Sequence, residues 1–138
     1  MIVTARLTFS AAHRLHNPKY DADWNRRTYG KCDNPKGHGH NYAIQVSVMG
    51  RIDPETGMVI DLKTLKDIVR RQIIDRVDHT NLNEDVEFLR GVIPTAENLA
   101  LAFWEPLNWQ PTHRDAPRSM LSSSPGVSLW YAANRHSR

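Results

Sequence analysis

From Val3 to His13 the chain alternates: Val3, Ala5, Leu7, Phe9 and Ala11 are apolar, and Thr4, Arg6, Thr8 and Ser10 between them are polar. A period of two is that of a strand with one buried face, and His13 falls in phase with that face. The alternation returns at Tyr42, Ile44, Val46 and Val48, set against Asn41, Gln45 and Ser47, and it carries His38 and His40 on the apolar phase. If the two strands pair as antiparallel neighbours, the end of the first meets the start of the second, and three imidazoles converge at one rim. The connection between them, Leu15 to Gly37, is far longer than a hairpin loop, and such loops in compact domains often carry function.

After the turn Asp53-Pro54-Glu55-Thr56-Gly57, Asp61 is placed to cap a helix over about 62–77, in which Leu62, Leu65, Val69, Ile73 and Val77 recur at helical spacing. Pro94-Thr95 opens a second helix, with Thr95 as N-cap and Glu97 in the first turn, where its charge suits the helix dipole. Leu99, Ala102, Phe103 and Leu107 form its apolar stripe, and it is expected to stop before Pro106. The Pro/Ser/Arg-rich run from Pro111 to Gly126 reads as a loop, and Val127 to Tyr131 as a short closing strand. The order strand, strand, helix, helix, strand describes one α+β domain spanning residues 1–138.

The length of 138 residues agrees with a single domain. With 40% hydrophobic and 24% charged residues, and no apolar run near the roughly 20 residues of a membrane span, a membrane role is excluded. Met1 to Phe9 has neither a basic start nor an apolar core, so no secretory signal is read and the cytoplasm is the expected location. The net charge is +3, but Lys and Arg are scattered without aromatic interleaving, which fits a solvated surface and gives no case for nucleic acid.

Each histidine alone reads as an ordinary strand residue. His13, His38 and His40 together, at one end of two apolar faces and beside Gly39, read as a three-nitrogen zinc site whose fourth position stays open for chemistry. The one cysteine, Cys32, has no internal disulfide partner and is either a small buried hydrophobe or a reactive thiol. Asp78-His79, directly after the first helix, is either a helix-stop pair or a carboxylate orienting an imidazole for proton transfer.

Phe9-Ser10-Ala11-Ala12-His13-Arg14-Leu15, Cys32 through Tyr42, Asp78 through Asn83 and Pro94-Thr95-Ala96-Glu97-Asn98 stand in an order and spacing that resembles the 6-pyruvoyl-tetrahydropterin synthase family. That family also includes the 6-carboxytetrahydropterin synthases of the queuosine pathway, and the likeness covers about residues 1–104. The resemblance implies the tunnelling fold: an antiparallel sheet with two helices on one face, oligomerising into a barrel as a homotrimer or homohexamer. It implies Zn2+ on His13, His38 and His40, Cys32 as the proton-abstracting thiolate, and Asp78 with His79 as its relay partners. It implies a pterin substrate, 7,8-dihydroneopterin triphosphate, converted to 6-pyruvoyl-tetrahydropterin with loss of triphosphate, and pterin contacts at Thr95, Ala96 and Glu97. Five residues, Asp33 to Gly37, separate Cys32 from His38, a spacing that resembles the pyruvoyl-forming branch, with the carboxy-forming branch as the alternative.

Residues 106–138 depart from the family pattern. Where the family carries a pterin-gripping glutamate, the aligned position is Tyr131, which offers one hydrogen bond in place of a carboxylate's two charge-assisted ones. Beyond Glu105 the only acid is Asp115, so Glu97 and Glu105 are the candidate substitutes. A third reading follows from the same departure: an oligomer that binds zinc and pterin without catalysis.

Overall fold

In the computed structural model, which describes residues 1–107 and the backbone of 126–133, β1 (Ile2–His13) and β2 (His38–Met49) pair antiparallel over their whole length. The register runs from Ile2 opposite Met49 to His13 opposite His38, as the two alternations require. The closing strand, β4 (Gly126–Ala133), contains the expected Val127–Tyr131 and pairs antiparallel with the other edge of β2, Tyr131 opposite Ile44. The Tyr131 side chain and the expected loop at 111–125 lie outside the described residues.

One connection differs from a wholly antiparallel sheet. β3 (Thr80–Asn81) runs parallel to β1 at Ala11 and Ala12, giving the order β3-β1-β2-β4. The reason is the direction of the helix before it. β2 ends beside the start of β1, and the helix travels back along β1 to Ser10, so the chain enters β3 already moving with β1.

That helix occupies the expected span but changes its winding. It comprises α2 (Leu62–Val69), a π-helical turn at Arg70–Ile74 and α3 (Asp75–Val77). Leu65, Val69, Ile73 and Val77 are each four apart, and at 3.6 residues per turn such positions drift about 40° per step. The i→i+5 bonding of a π turn winds more residues into each turn and returns the later positions to the first face. All four are buried, as is Ile74. Leu62, which the same spacing assigns to the stripe, is 46% exposed, because it sits on the first turn, where the chain has only begun to approach the sheet. Asp61 caps the helix as expected, accepting from the backbone N–H groups of Lys63 and Thr64.

α4 (Ala96–Leu107) is capped by Thr95, whose hydroxyl accepts from the Asn98 N–H at 3.3 Å. Leu99, Phe103 and Leu107 are buried. The helix passes through Pro106 where a stop was expected. So close to the end of the helix a proline forfeits only one N–H bond, and Leu107 still completes the stripe. Both helices close on the face of the sheet that carries Ala5, Phe9, Tyr42, Ile44 and Val46, while Thr4, Arg6 and Thr8 on the other face stay exposed. Within the long connection the chain forms α1 (Ala22–Tyr29), an element the hydrophobic pattern does not show because the helix buries only Asn25. Its signals are polar: Asp21 caps it, accepting from the Trp24 N–H, and Gly30 ends it at φ 55.

The winding argument separates two residues of the same stripe. Ile73→Ala is expected to cost about 2–5 kcal/mol of unfolding free energy, as for other large-to-small core changes. Leu62→Ala is expected to stay within about 0.5 kcal/mol, as surface changes do. Urea denaturation of both variants measures the contrast.

Candidate metal centre

The β1–β2 register sets His13 opposite His38 and Ala11 opposite His40, so all three imidazoles lie on the helix-covered face at one end of the sheet. Ring centroids are 4.7 Å apart for His13 and His38, 5.0 Å for His13 and His40, and 4.6 Å for His38 and His40. One nitrogen from each ring lies within 4.8 Å of the others. Below them Tyr42 meets His13 and His40 edge-on and stacks on Phe9 at 4.8 Å, giving the cluster an aromatic floor. Burial, and after it the charge of the nearby Cys32, push the Tyr42 hydroxyl well above its ordinary pKa, so it stays neutral.

His13 is the best defined of the three. Its Nδ1 lies 2.9 Å from the Pro94 carbonyl and donates to it, which leaves the Nε2 lone pair facing His38 and His40. Burial pushes its pKa down to about 4, against the raising effect of Pro94, so at neutral pH the ring is uncharged and ready to ligate. His13 Nε2 and His38 Nε2 stand 3.2 Å apart. Two nitrogens at zinc-ligand length around a tetrahedral centre would be separated by about 3.3 Å. His38 Nδ1, the nitrogen turned away from this pair, is buried without a hydrogen-bond partner among the described residues. The converging lone pairs and the uncharged His13 ring fit a divalent cation. The strand is brought to this geometry by Gly37, at φ 67, where a Cβ would stand 3.0 Å from the His13 carbonyl oxygen.

Cys32 lies in a 3-10 turn (Gly30–Asp33), half-buried, and its carbonyl accepts from the Leu15 N–H at 2.9 Å. Asn25, fully buried, organises the loop before it by donating to the carbonyls of Asn17, Tyr20 and Asp21 and accepting from the Asn17 N–H. Asn83 grips the backbone of Arg14 with both ends of its amide, accepting from the N–H at 2.8 Å and donating to the carbonyl at 3.0 Å. These asparagines, and the carbonyl of Pro94, are parts of the site that sequence reasoning missed. The partners of Asn83 and Pro94 lie far along the chain and those of Asn25 four to eight residues before it, and no hydrophobic periodicity records such bonds.

Asp78 and His79 form a unit of their own. Asp78 Oδ1 accepts from the Ser10 N–H at 2.8 Å, its Oδ2 lies 3.0 Å from His79 Nδ1, and the His79 N–H donates to the Ser10 carbonyl at 2.6 Å. The Ser10 N–H, and after it His79, hold the Asp78 carboxyl below the usual range. His79 adopts φ 58, left-handed backbone that a residue with a side chain rarely takes, and its imidazole is 81% exposed. It borders an open cavity of about 630 Å³ with Thr80, Ser10, Ala12, Gly39 and Asn41, and Ala11 and His40 also reach it. Strand alternation places the side chains of Ser10, Ala12 and Asn41 on the face opposite the three imidazoles. Cys32 and His79, paired by the sequence reading, share no hydrogen bond in one copy among the described residues.

Thr95 spends its hydroxyl on capping α4, and Ala96 and Glu97 are exposed on the first turn, next to the Pro94 carbonyl that orients His13. No described helix is long and apolar enough to cross a membrane.

Comparison with known proteins agrees with this geometry. The family model for 6-pyruvoyl tetrahydropterin synthase matches residues 2–121. The 6-pyruvoyl tetrahydrobiopterin synthase of Poecilia reticulata is 47% identical over 103 residues, 75% of this chain and 70% of that protein. That of Homo sapiens is 45% identical over 105 residues, 76% of this chain and 72% of that protein. The solved structure of the Caenorhabditis elegans 6-pyruvoyl tetrahydropterin synthase superposes with a TM-score of 0.72 at 36% identity, covering 97% of this chain and 96% of that one. On a match that spans both strands of the histidine cluster and the helices packed on them, the chain belongs to the 6-pyruvoyl tetrahydropterin synthase family.

Proposed function

We propose that the chain is a zinc-dependent lyase that converts 7,8-dihydroneopterin triphosphate to 6-pyruvoyl-tetrahydropterin and releases triphosphate. The observation that carries this reading is the convergence of three imidazole nitrogens within 4.8 Å at the end of β1 and β2. His13, His38 and His40 would hold the ion, which when bound supplies Lewis-acid polarisation of a substrate oxygen and so acidifies the adjacent C–H. Cys32, as the thiolate, takes that proton. Asp78, ionised, receives the Nδ1–H of His79 and leaves its Nε2 free to hand a proton on or take one up. Pterin contacts are assigned to Thr95, Ala96 and Glu97 at the start of α4 and to Tyr131 of β4.

Cys32 and His79 share no hydrogen bond among the described residues of one copy, and so one copy does not close the relay by itself. We assign the complete site to the junction of two copies, Cys32 and the metal centre of one facing Asp78 and His79 of the next. A homotrimer or homohexamer supplies such junctions.

Anaerobic incubation of the zinc-loaded protein with dihydroneopterin triphosphate is expected to yield 6-pyruvoyl-tetrahydropterin and triphosphate, identified by mass spectrometry. A 6-carboxytetrahydropterin product would move the chain to the other branch, and bound but unaltered pterin would make it a binding protein. Metal analysis of the purified protein should find about one zinc per chain, lost in His38→Ala and His40→Ala, because two protein ligands hold the ion poorly. Full occupancy in both variants would remove the site.

Cys32→Ala and His79→Ala are each expected to lose about 100-fold or more in kcat, the scale of a lost acid–base group. Mixed after partial dissociation and reassembly, the two variants should recover activity at junctions that combine an intact Cys32 with an intact His79. Mixed oligomers, verified by native mass spectrometry, that stay as inactive as the parents would place both residues in one copy's site.

A further inference from the structure

Beside the metal centre, a polar cluster joins Arg14, His16 and Asp33, and the functional reading leaves it unused. Asp33 Oδ1 accepts from Arg14 Nε at 3.0 Å and Nη2 at 2.7 Å, and lies 2.8 Å from His16 Nδ1. Arg14 Nε also donates to the Asp33 backbone carbonyl at 3.0 Å, so the guanidinium grips side chain and main chain together. The carboxylate is only 12% exposed, and His16 first, then Arg14, keep it below the usual range. An exposed ion pair would matter little. This one closes a loop of bonds between the two parts of the proposed site.

Asp33 directly follows Cys32, and Arg14 directly follows His13. The turn that carries Cys32 buries no residue, so no apolar side chain anchors it. It lies between Gly30, at φ 55, and Gly37, at φ 67. What ties it to β1 is the Leu15 N–H to Cys32 carbonyl bond and the Arg14–Asp33 grip, and Arg14 is itself fixed by the Asn83 amide.

We propose that Asp33, held by Arg14 and His16, is a positioning residue that sets the Cys32 thiol against the metal centre. The role rests on the reading of Cys32 as the base, and it adds what that reading lacks: a reason for the thiol to stay in place in a turn without a core. Releasing the grip should leave ligands and fold intact and displace the thiol. A displacement on the order of 1 Å costs on the order of 10- to 100-fold in rate.

The test compares Asp33→Ala, Asp33→Asn and Arg14→Met with the parent and with Cys32→Ser, all as zinc-loaded oligomers. Asp33→Ala and Arg14→Met are expected to lose about 10- to 100-fold in kcat with KM within about twofold, since the defect lies in the chemical step and not in binding. Asp33→Asn, whose amide oxygen still accepts from Arg14, should retain most of the activity. Metal content and circular dichroism should match the parent in all of them. Alkylation of Cys32 by iodoacetamide, followed by mass spectrometry across pH, should shift its rate in Asp33→Ala and Arg14→Met but not in Asp33→Asn. A general structural role would lower stability and leave that profile unmoved.

Parent-like kcat and alkylation in a folded Asp33→Ala would overturn the proposal, and so would equal losses in the Ala and Asn variants with an unchanged profile. Should Asp33→Ala fail to fold, Arg14→Met decides by the same two readouts. Full turnover in Cys32→Ser would instead overturn the reading of Cys32 as the base, while the alkylation profile still reports on the placement of the thiol.

Discussion

The pairing of β1 with β2 is the constraint from which the site takes its geometry. A slip of one residue would turn His13 to the opposite face from the helices and separate it from His38 and His40. No tight turn fixes the register, because the connection contains a helix of its own. It is fixed by matched pairs along the ladder: Phe9 stacks on Tyr42 directly opposite on one face, and on the other Thr4 and Ser47 share a hydrogen bond at 2.8 Å, as do Ser10 and Asn41. Such cross-strand pairs contribute roughly 0.2–1 kcal/mol each, and only the observed register makes all of them together.

The same face changes character along its length. Toward Met49 it is aliphatic, with Val46 and Val48 against Leu65 and Val69, and toward His38 it carries imidazoles over an aromatic floor. Burying polar rings there costs free energy unless something answers their lone pairs. Pro94 answers one nitrogen of His13, and a cation would answer the converging ones. The apolar end supplies the stability that lets the polar end exist, and α4 serves both, burying Phe103 in the core while Pro94, just before its cap, orients His13.

The histidine cluster was legible in the sequence because two strands of period two record which residues share a face, and antiparallel pairing brings one end of each together. The long helix was legible as a span. The π turn within it was not, although the repeated spacing of four in Leu65, Val69, Ile73 and Val77 is its trace. β3 escaped because two residues are too short for any period, and its parallel sense depends on the direction of the helix before it. The Arg14–Asp33 and Arg14–Asn83 contacts escaped for a different reason: each joins residues whose spacing is set by the loop between them, and no local propensity encodes that.

Asp78 and His79 show how far strand alternation carries once the fold is known. Ser10 is fixed on the polar face by its neighbours Phe9 and Ala11 on the other, and its N–H and C=O are both taken by the Asp78–His79 unit. That attachment obliges His79 to accept left-handed backbone, a strain that glycine would relieve at once but glycine has no imidazole. The His79 ring itself is exposed. Two unlike faces that complete each other across copies make a heterologous contact, and a heterologous contact that closes on itself forms a ring with as many complete sites as copies. Under the proposed reading, a separated copy then holds a thiol, a metal centre and an imidazole relay, and no complete site.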